Sequence, residues 1–175
     1  DLPFTGSGAI LAQRLGVQPS FVLDAHNGGC VSFIFLLELA RDLLKARGLQ
    51  EGFIFISQTA AGHIFDHPEI RKKPQAAIPG DGAAVAWVSL EEGALEVNPI
   101  LMRCHPEYAS DMTIAFDDGR RYYEASTCPG YIDFPEEKAA SILMRGNRLV
   151  PGILHECLKQ AGLKVSEVDG LVTNQ

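Results

Sequence analysis

Apolar positions along the chain come in short blocks cut apart by glycine and proline, and the spacing within each block predicts its element. Residues 8–16, GAILAQRLG, have the amphipathic spacing of a short helix closed by Gly16. Phe21 to Asp24 is a brief apolar run and predicts a strand. From Val31 to Arg47 the polar positions Glu38, Arg41, Asp42 and Lys45 share one helical face, while the first two turns are nearly all apolar. That pattern predicts a helix buried at its start and solvated towards its end. FIFIS at 53–57 is continuously apolar, as in a strand covered on both faces. Residues 62–79 hold three prolines and the basic run Arg71-Lys72-Lys73, and predict an exposed excursion. GDGAAVAWVSL (80–90) predicts a turn into a second buried strand, with ALEVNPI (94–100) as its hairpin partner. Residues 104–135 are polar and aromatic without a clear period, and predict an irregular insert. A helix is expected from Glu136, a second over 147–161 with Gly162 as its stop, and a strand over 168–172.

Strands alternating with helices indicate an α/β sheet with covered faces. The 175 residues, 46% hydrophobic and 21% charged, suit one soluble globular domain. A net charge of −7 excludes nucleic acid as the main partner, because a phosphate backbone demands a basic surface. Apolar runs such as Phe33 to Leu37 fall far short of the roughly 20 residues that cross a bilayer. The four cysteines, at 30, 104, 128 and 157, form no C-x-x-C pair, and the histidines are not at zinc spacings. Free thiols and no metal are expected. The chain opens without a charged-then-apolar leader, so the expected location is cytoplasmic.

The stretch that carries chemistry is LDAHNGGCVSF, where a strand breaks at Gly28 and Gly29 and Cys30 stands at the head of an apolar helix. Unpaired N–H groups and the positive end of the helix dipole favour a thiolate there. The two glycines let the backbone bend sharply and leave room for a substrate carbonyl. The competing reading of the same residues is a small core filler, since free cysteine is among the most buried residue types.

Four stretches in order resemble the ketoacyl-acyl-carrier-protein synthase III group of condensing enzymes: LDAHNGGCVSF, IPGDGAAVAWV, MRGNRLVPGILHECLKQAGLKVSEVDGLV and the closing TNQ, where that family usually reads Pro-His-Gln. The resemblance spans essentially the whole chain. It implies a layered αβαβα thiolase-like fold, usually homodimeric, of which this chain is a central portion. Residues 1–165 would be the remainder of the N-terminal half, with the insert at about 104–135, and 166–175 the start of the C-terminal half. It implies Cys30 as the nucleophile, with the Gly29 and Cys30 backbone at the oxyanion. An acyl group would pass from coenzyme A or an acyl-carrier-protein phosphopantetheine thioester to Cys30, then condense with a malonyl thioester after loss of CO2. Acyl carrier protein would be the macromolecular partner, and no permanently bound cofactor is implied.

Two departures stand out. Asn174 occupies the family's histidine position, and an amide donates a hydrogen bond but takes up no proton near neutral pH. His26, His63, His105 and His155 are the imidazoles weighed as alternative bases, each more simply structural. The family also has strands before the point matching Asp1 and a segment after Gln175 bearing its catalytic asparagine. The expectation is therefore part of a longer protein, or of one built from separate chains. The departures keep two alternatives open: a cysteine acyltransferase without decarboxylative condensation, and a non-catalytic partner subunit of a synthase. They also tilt the expected pathway from fatty-acid towards specialised-metabolite biosynthesis. Of the weaker signals, GSGAI near the start is a poor phosphate loop without a preceding strand. Arg71-Lys72-Lys73, or Arg145 with Arg148, would dock an acidic carrier protein or simply be solvated. Tyr108, Phe116, Tyr122, Tyr123, Tyr131 and Phe134 would line an acyl pocket, cover a dimer partner or pack the insert.

Overall fold

Two glycines predicted to stop helices, Gly16 and Gly162, do so in the computed structural model, which describes residues 6–26, 29–59, 64–73, 76, 80–91, 93–133 and 135–172, and Gly48 is a third. Helix α1 (Ser7–Leu15) ends at Gly16, helix α2 (Ser32–Arg47) at Gly48, and the long C-terminal helix at Gly162, each glycine left-handed with φ of 68°, 63° and 71°. In each case the next residue's N–H reaches back to close the last turn, as Leu49 does to the Leu44 carbonyl at 2.9 Å.

Helix α2 forms where predicted and is solvated at its end, with Lys45 to Arg47 exposed, but its start is not buried. Val31 just before it is 64% exposed and Phe35 44%, whereas Leu44 near its end is 4% exposed. The reason is what it packs on: a Cβ at Gly52, in the following strand, would lie 3.8 Å from Leu44 Cδ2. Periodicity shows which side chains favour burial and is silent on where the covering surface stands.

Strand β1 (Glu51–Gln58) pairs with β2 (Gly82–Ser89) in a two-stranded sheet. The Gln50 carbonyl accepts from Leu90 N–H at 2.8 Å, and the Gln58 side chain donates to the Gly80 carbonyl at 2.9 Å. Opposite ends thus meet, and the strands run antiparallel. The expectation that both faces of FIFIS are covered is corrected. Ile54 is buried, but Phe53 is 62% exposed and Phe55 also lies open. Trp87, 68% exposed, donates its indole N–H to Glu51 at 3.0 Å and so stands on the Glu51–Phe53–Phe55 face.

Three further expectations are corrected. Residues 21–24, 94–100 and 168–172 form no strand. An apolar run becomes a strand only when a ladder partner takes its N–H and carbonyl groups, and among the described residues none of the three runs has one. The two helices expected after residue 135 are one, α4 (Glu136–Ala161), 26 residues long with Pro151 inside. Gly146 costs such a helix only about 1 kcal/mol against alanine, too little to break it. Between β2 and α4, strand β3 (Thr113–Ala115) runs antiparallel to β4 (Tyr131–Asp133), with Ile114 opposite Ile132. A short helix, α3 (Pro68–Arg71), starts at Pro68, with the His67 ring accepting from the Glu69 N–H.

Contacts cluster into two units, 1–56 with 84–93, and 57–83 with 94–175. Leu44 and Ile54 are core residues of the first, Ile70 and Ile132 of the second. Among the described residues, no helix is long and apolar enough to cross a membrane.

Candidate active site

Gly29 has φ of 60°, a left-handed conformation in which a Cβ is strained. It opens a single 3-10 turn, Gly29–Val31, that feeds directly into α2. The Ser32 hydroxyl donates to the Gly29 carbonyl at 2.5 Å and locks that turn. Cys30 sits in the middle of it, exposed. The first turn of α2 contains no acidic residue and its N-cap, Val31, supplies no side-chain acceptor. The partial positive charge of the helix start therefore has no acidic side chain of the first turn against it, an arrangement that favours a negative charge placed there.

Gly29 and Cys30 share that turn, while Gly28 and Asn174 lie outside the described residues, as do His63 and Phe134. His105 faces Glu107 at 3.3 Å and His155 faces the Pro151 carbonyl at 2.7 Å, both local contacts. His26 is exposed on the lead-in to Cys30. His67, not among the sequence candidates, is the most engaged imidazole among the described residues: Nε2 meets Asp117 at 2.9 Å, and the ring stacks on Tyr131 at 4.1 Å. Its Nδ1 accepts from the Glu69 N–H at 3.3 Å, so both ring nitrogens are committed to structure. Pro68 at the first helical position was the signal that would have found this cap.

The basic run is largely neutralised locally. Arg71 pairs with Asp66, and Lys72 with Glu69 at 2.6 Å. Arg145 pairs with Asp111 and lies over the Tyr108 ring at 3.9 Å, and Arg148 reaches the Tyr108 hydroxyl at 3.4 Å. Tyr108, Phe116 and Tyr131 are each engaged within the second unit. Tyr122 and Tyr123 are exposed and border an open cavity of about 740 Å³ with Ile114, Phe116, Arg120 and Arg121. At GSGAI, the Gly8 N–H donates to Asp24 Oδ1 at 2.9 Å, so the protein's own carboxylate fills the anion position at the start of α1. Among the described residues no cluster of three or more His, Cys, Asp or Glu suits a metal ion.

No protein-family model and no curated protein matches this sequence. Its backbone does match a solved structure, the 2.1 Å crystal structure of 3-oxoacyl-(acyl-carrier-protein) synthase III, with a TM-score of 0.72 over 97% of this chain. The chain has the fold of a synthase III. Sequence identity is 22%, and the chain spans about half the length of that synthase, 52%. The thiolase-like α/β fold implied by the motifs is thus the fold observed, as a portion of the larger whole. In this synthase III-like chain, the glycine turn and Cys30 head α2.

Proposed function

We propose that the protein is an acyl-thioester condensing enzyme of the ketoacyl-acyl-carrier-protein synthase III type. One observation carries the reading: within a synthase III fold, a left-handed glycine places an exposed cysteine at the head of a helix that has no acid in its first turn. The Cys30 thiolate attacks the carbonyl carbon of an acyl-coenzyme A or acyl-carrier-protein thioester. The Cys30 N–H, at the start of the helix, donates to the developing oxyanion. The tetrahedral adduct collapses, the carrier thiol leaves with a proton, and the acyl group remains on sulfur. A malonyl thioester then loses CO2, its enolate attacks the acyl-Cys30 carbonyl, and the Cys30 thiolate is released. The protein works as a cytoplasmic homodimer with acyl carrier protein as partner and no resident cofactor.

Asn174 supports a second reading, in which Cys30 is acylated and the acyl group moves to an oxygen, nitrogen or sulfur acceptor without decarboxylation. Its amide takes no proton. The test uses the full natural chain, a panel of acyl-coenzyme A thioesters and mass analysis of the Cys30 peptide. Acylation with CO2 release from malonyl-carrier protein is the expected result, and Cys30→Ala removes the label. Acylation without CO2 selects transfer. A Cys30 that takes up no acyl group from any donor ends both readings and leaves a non-catalytic subunit.

A further inference from the structure

We propose that His67 is a proton-operated clasp on α3: the neutral ring holds the start of the helix closed, and a proton added to it opens that turn. The proposal is independent of the chemistry at Cys30. Two partners with opposite demands meet this imidazole. Nδ1 lies 3.3 Å from the Glu69 backbone N–H, which only donates, so Nδ1 is bare. Nε2 lies 2.9 Å from the Asp117 carboxylate, which in its ionised form only accepts, so Nε2 carries the hydrogen. Together the contacts select one species, the neutral ring protonated on Nε2. Stacking on Tyr131 at 4.1 Å, with the side chain 14% exposed, holds the ring in this orientation.

A further proton has one place to go, Nδ1. There it turns the acceptor of the cap into a donor that faces another donor, the Glu69 N–H. The bond to Asp117 survives the same event as an ion pair, so protonation acts on the helix side of the ring alone. Charged and titratable groups surround it on both sides. From the insert come Asp117 and Tyr131, with Asp133 beside the tyrosine. Along its own segment stand Glu69, Lys72 and Lys73, while Asp66 is turned to Arg71. Asp117 is 61% exposed, so its pull on a charged ring is screened, and it anchors the imidazole without restoring the cap. What the cap controls is one turn. Pro68 brings no N–H, and the Ile70 and Arg71 amides both return to the His67 carbonyl, at 3.0 and 2.9 Å. That turn also keeps Lys72 paired with Glu69 at 2.6 Å.

The test uses the full natural chain with 15N-labelled histidine, together with His67→Asn and His67→Gln. Ring-nitrogen spectra report the tautomer, and amide hydrogen exchange over residues 66–73, corrected for its intrinsic pH dependence, reports the turn. Measurements run from about pH 8 to about pH 5, where imidazoles change charge. The wild type is expected to show a bare Nδ1 at the upper end and to lose protection about tenfold at the lower end. His67→Asn keeps a cap acceptor that takes no proton, so its protection should stay flat with pH. His67→Gln reaches towards Asp117 but has no acceptor at the δ position, and its turn should be open throughout. A proton on Nδ1 at about pH 8 would overturn the proposal, as would wild-type protection that ignores pH. An equal loss in His67→Asn, or a His67→Gln turn as protected as the wild type at the upper end, would overturn it too.

Discussion

Gly29 is the residue on which the candidate site turns, because its φ of 60° aims the chain into the head of α2. Gly29→Ala adds about 1–2 kcal/mol of left-handed strain. Cys30 alkylation and acylation should both slow in that variant, with Gly29→Asn milder. Asn174 has a separate expectation tied to the proposed reaction. Asn174→His restores a proton-accepting group and should raise malonyl-dependent CO2 release about 100-fold, measured with labelled malonyl-carrier protein. Two titrating residues bracket the stability of the insert. The Ser126 hydroxyl at 2.6 Å, then the Arg120 N–H and charge, hold the Asp118 carboxyl below its ordinary 3.8. Its contribution is present above that value and lost as pH falls through the lowered one. Burial, then the Asp117 and Asp133 carboxylates, raise the Tyr131 hydroxyl above 10.0. That contribution is intact below pH 10.0 and lost as pH rises through the raised value. The near-ultraviolet circular dichroism of the tyrosines should therefore hold across mid pH and fall at both extremes. Ser126→Ala should move the acid limb upward.

At the scale of elements, the loop joining β3 to β4 is organised by one side chain. Arg120 donates to the carbonyls of Glu124 and Cys128 at 2.9 Å each and stacks its guanidinium over Phe116 at 3.9 Å. Arg120→Met keeps the length and loses the charge-assisted bonds, so the second unit should lose about 2 kcal/mol, read by denaturant unfolding. Hydrogen exchange should quicken over 116–130 in that variant. Asp111, buried between Arg145 and Lys138 of α4, ties the insert to the helix. These elements were the least legible in the sequence. The insert has no apolar period because its order comes from arginine-to-carbonyl bonds, which leave no spacing signal. Helix stops were the most legible, since the left-handed closing glycines at 16, 48 and 162 are a purely local requirement.

For the whole molecule, the net charge of −7 follows from composition alone, whereas the burial of Leu44, Ile54, Ile70 and Ile132 follows from packing. Leu44 is the residue through which α2 meets β1, and Leu44→Ala should cost about 3 kcal/mol, detectable as a lower urea midpoint for the first unit. Sequence by itself determined that helices end at Gly16 and Gly162 and that Gly29 and Cys30 share a turn at a helix head. Each of these is set by neighbours a few residues apart in the chain. Only the tertiary structure decided that α2 buries Leu44 and leaves its start open, and that FIFIS is covered on one face. It also decided that α4 is one helix and that Asp24 caps α1. Burial and pairing depend on which distant segment arrives at a surface, and local apolar spacing holds no record of that partner.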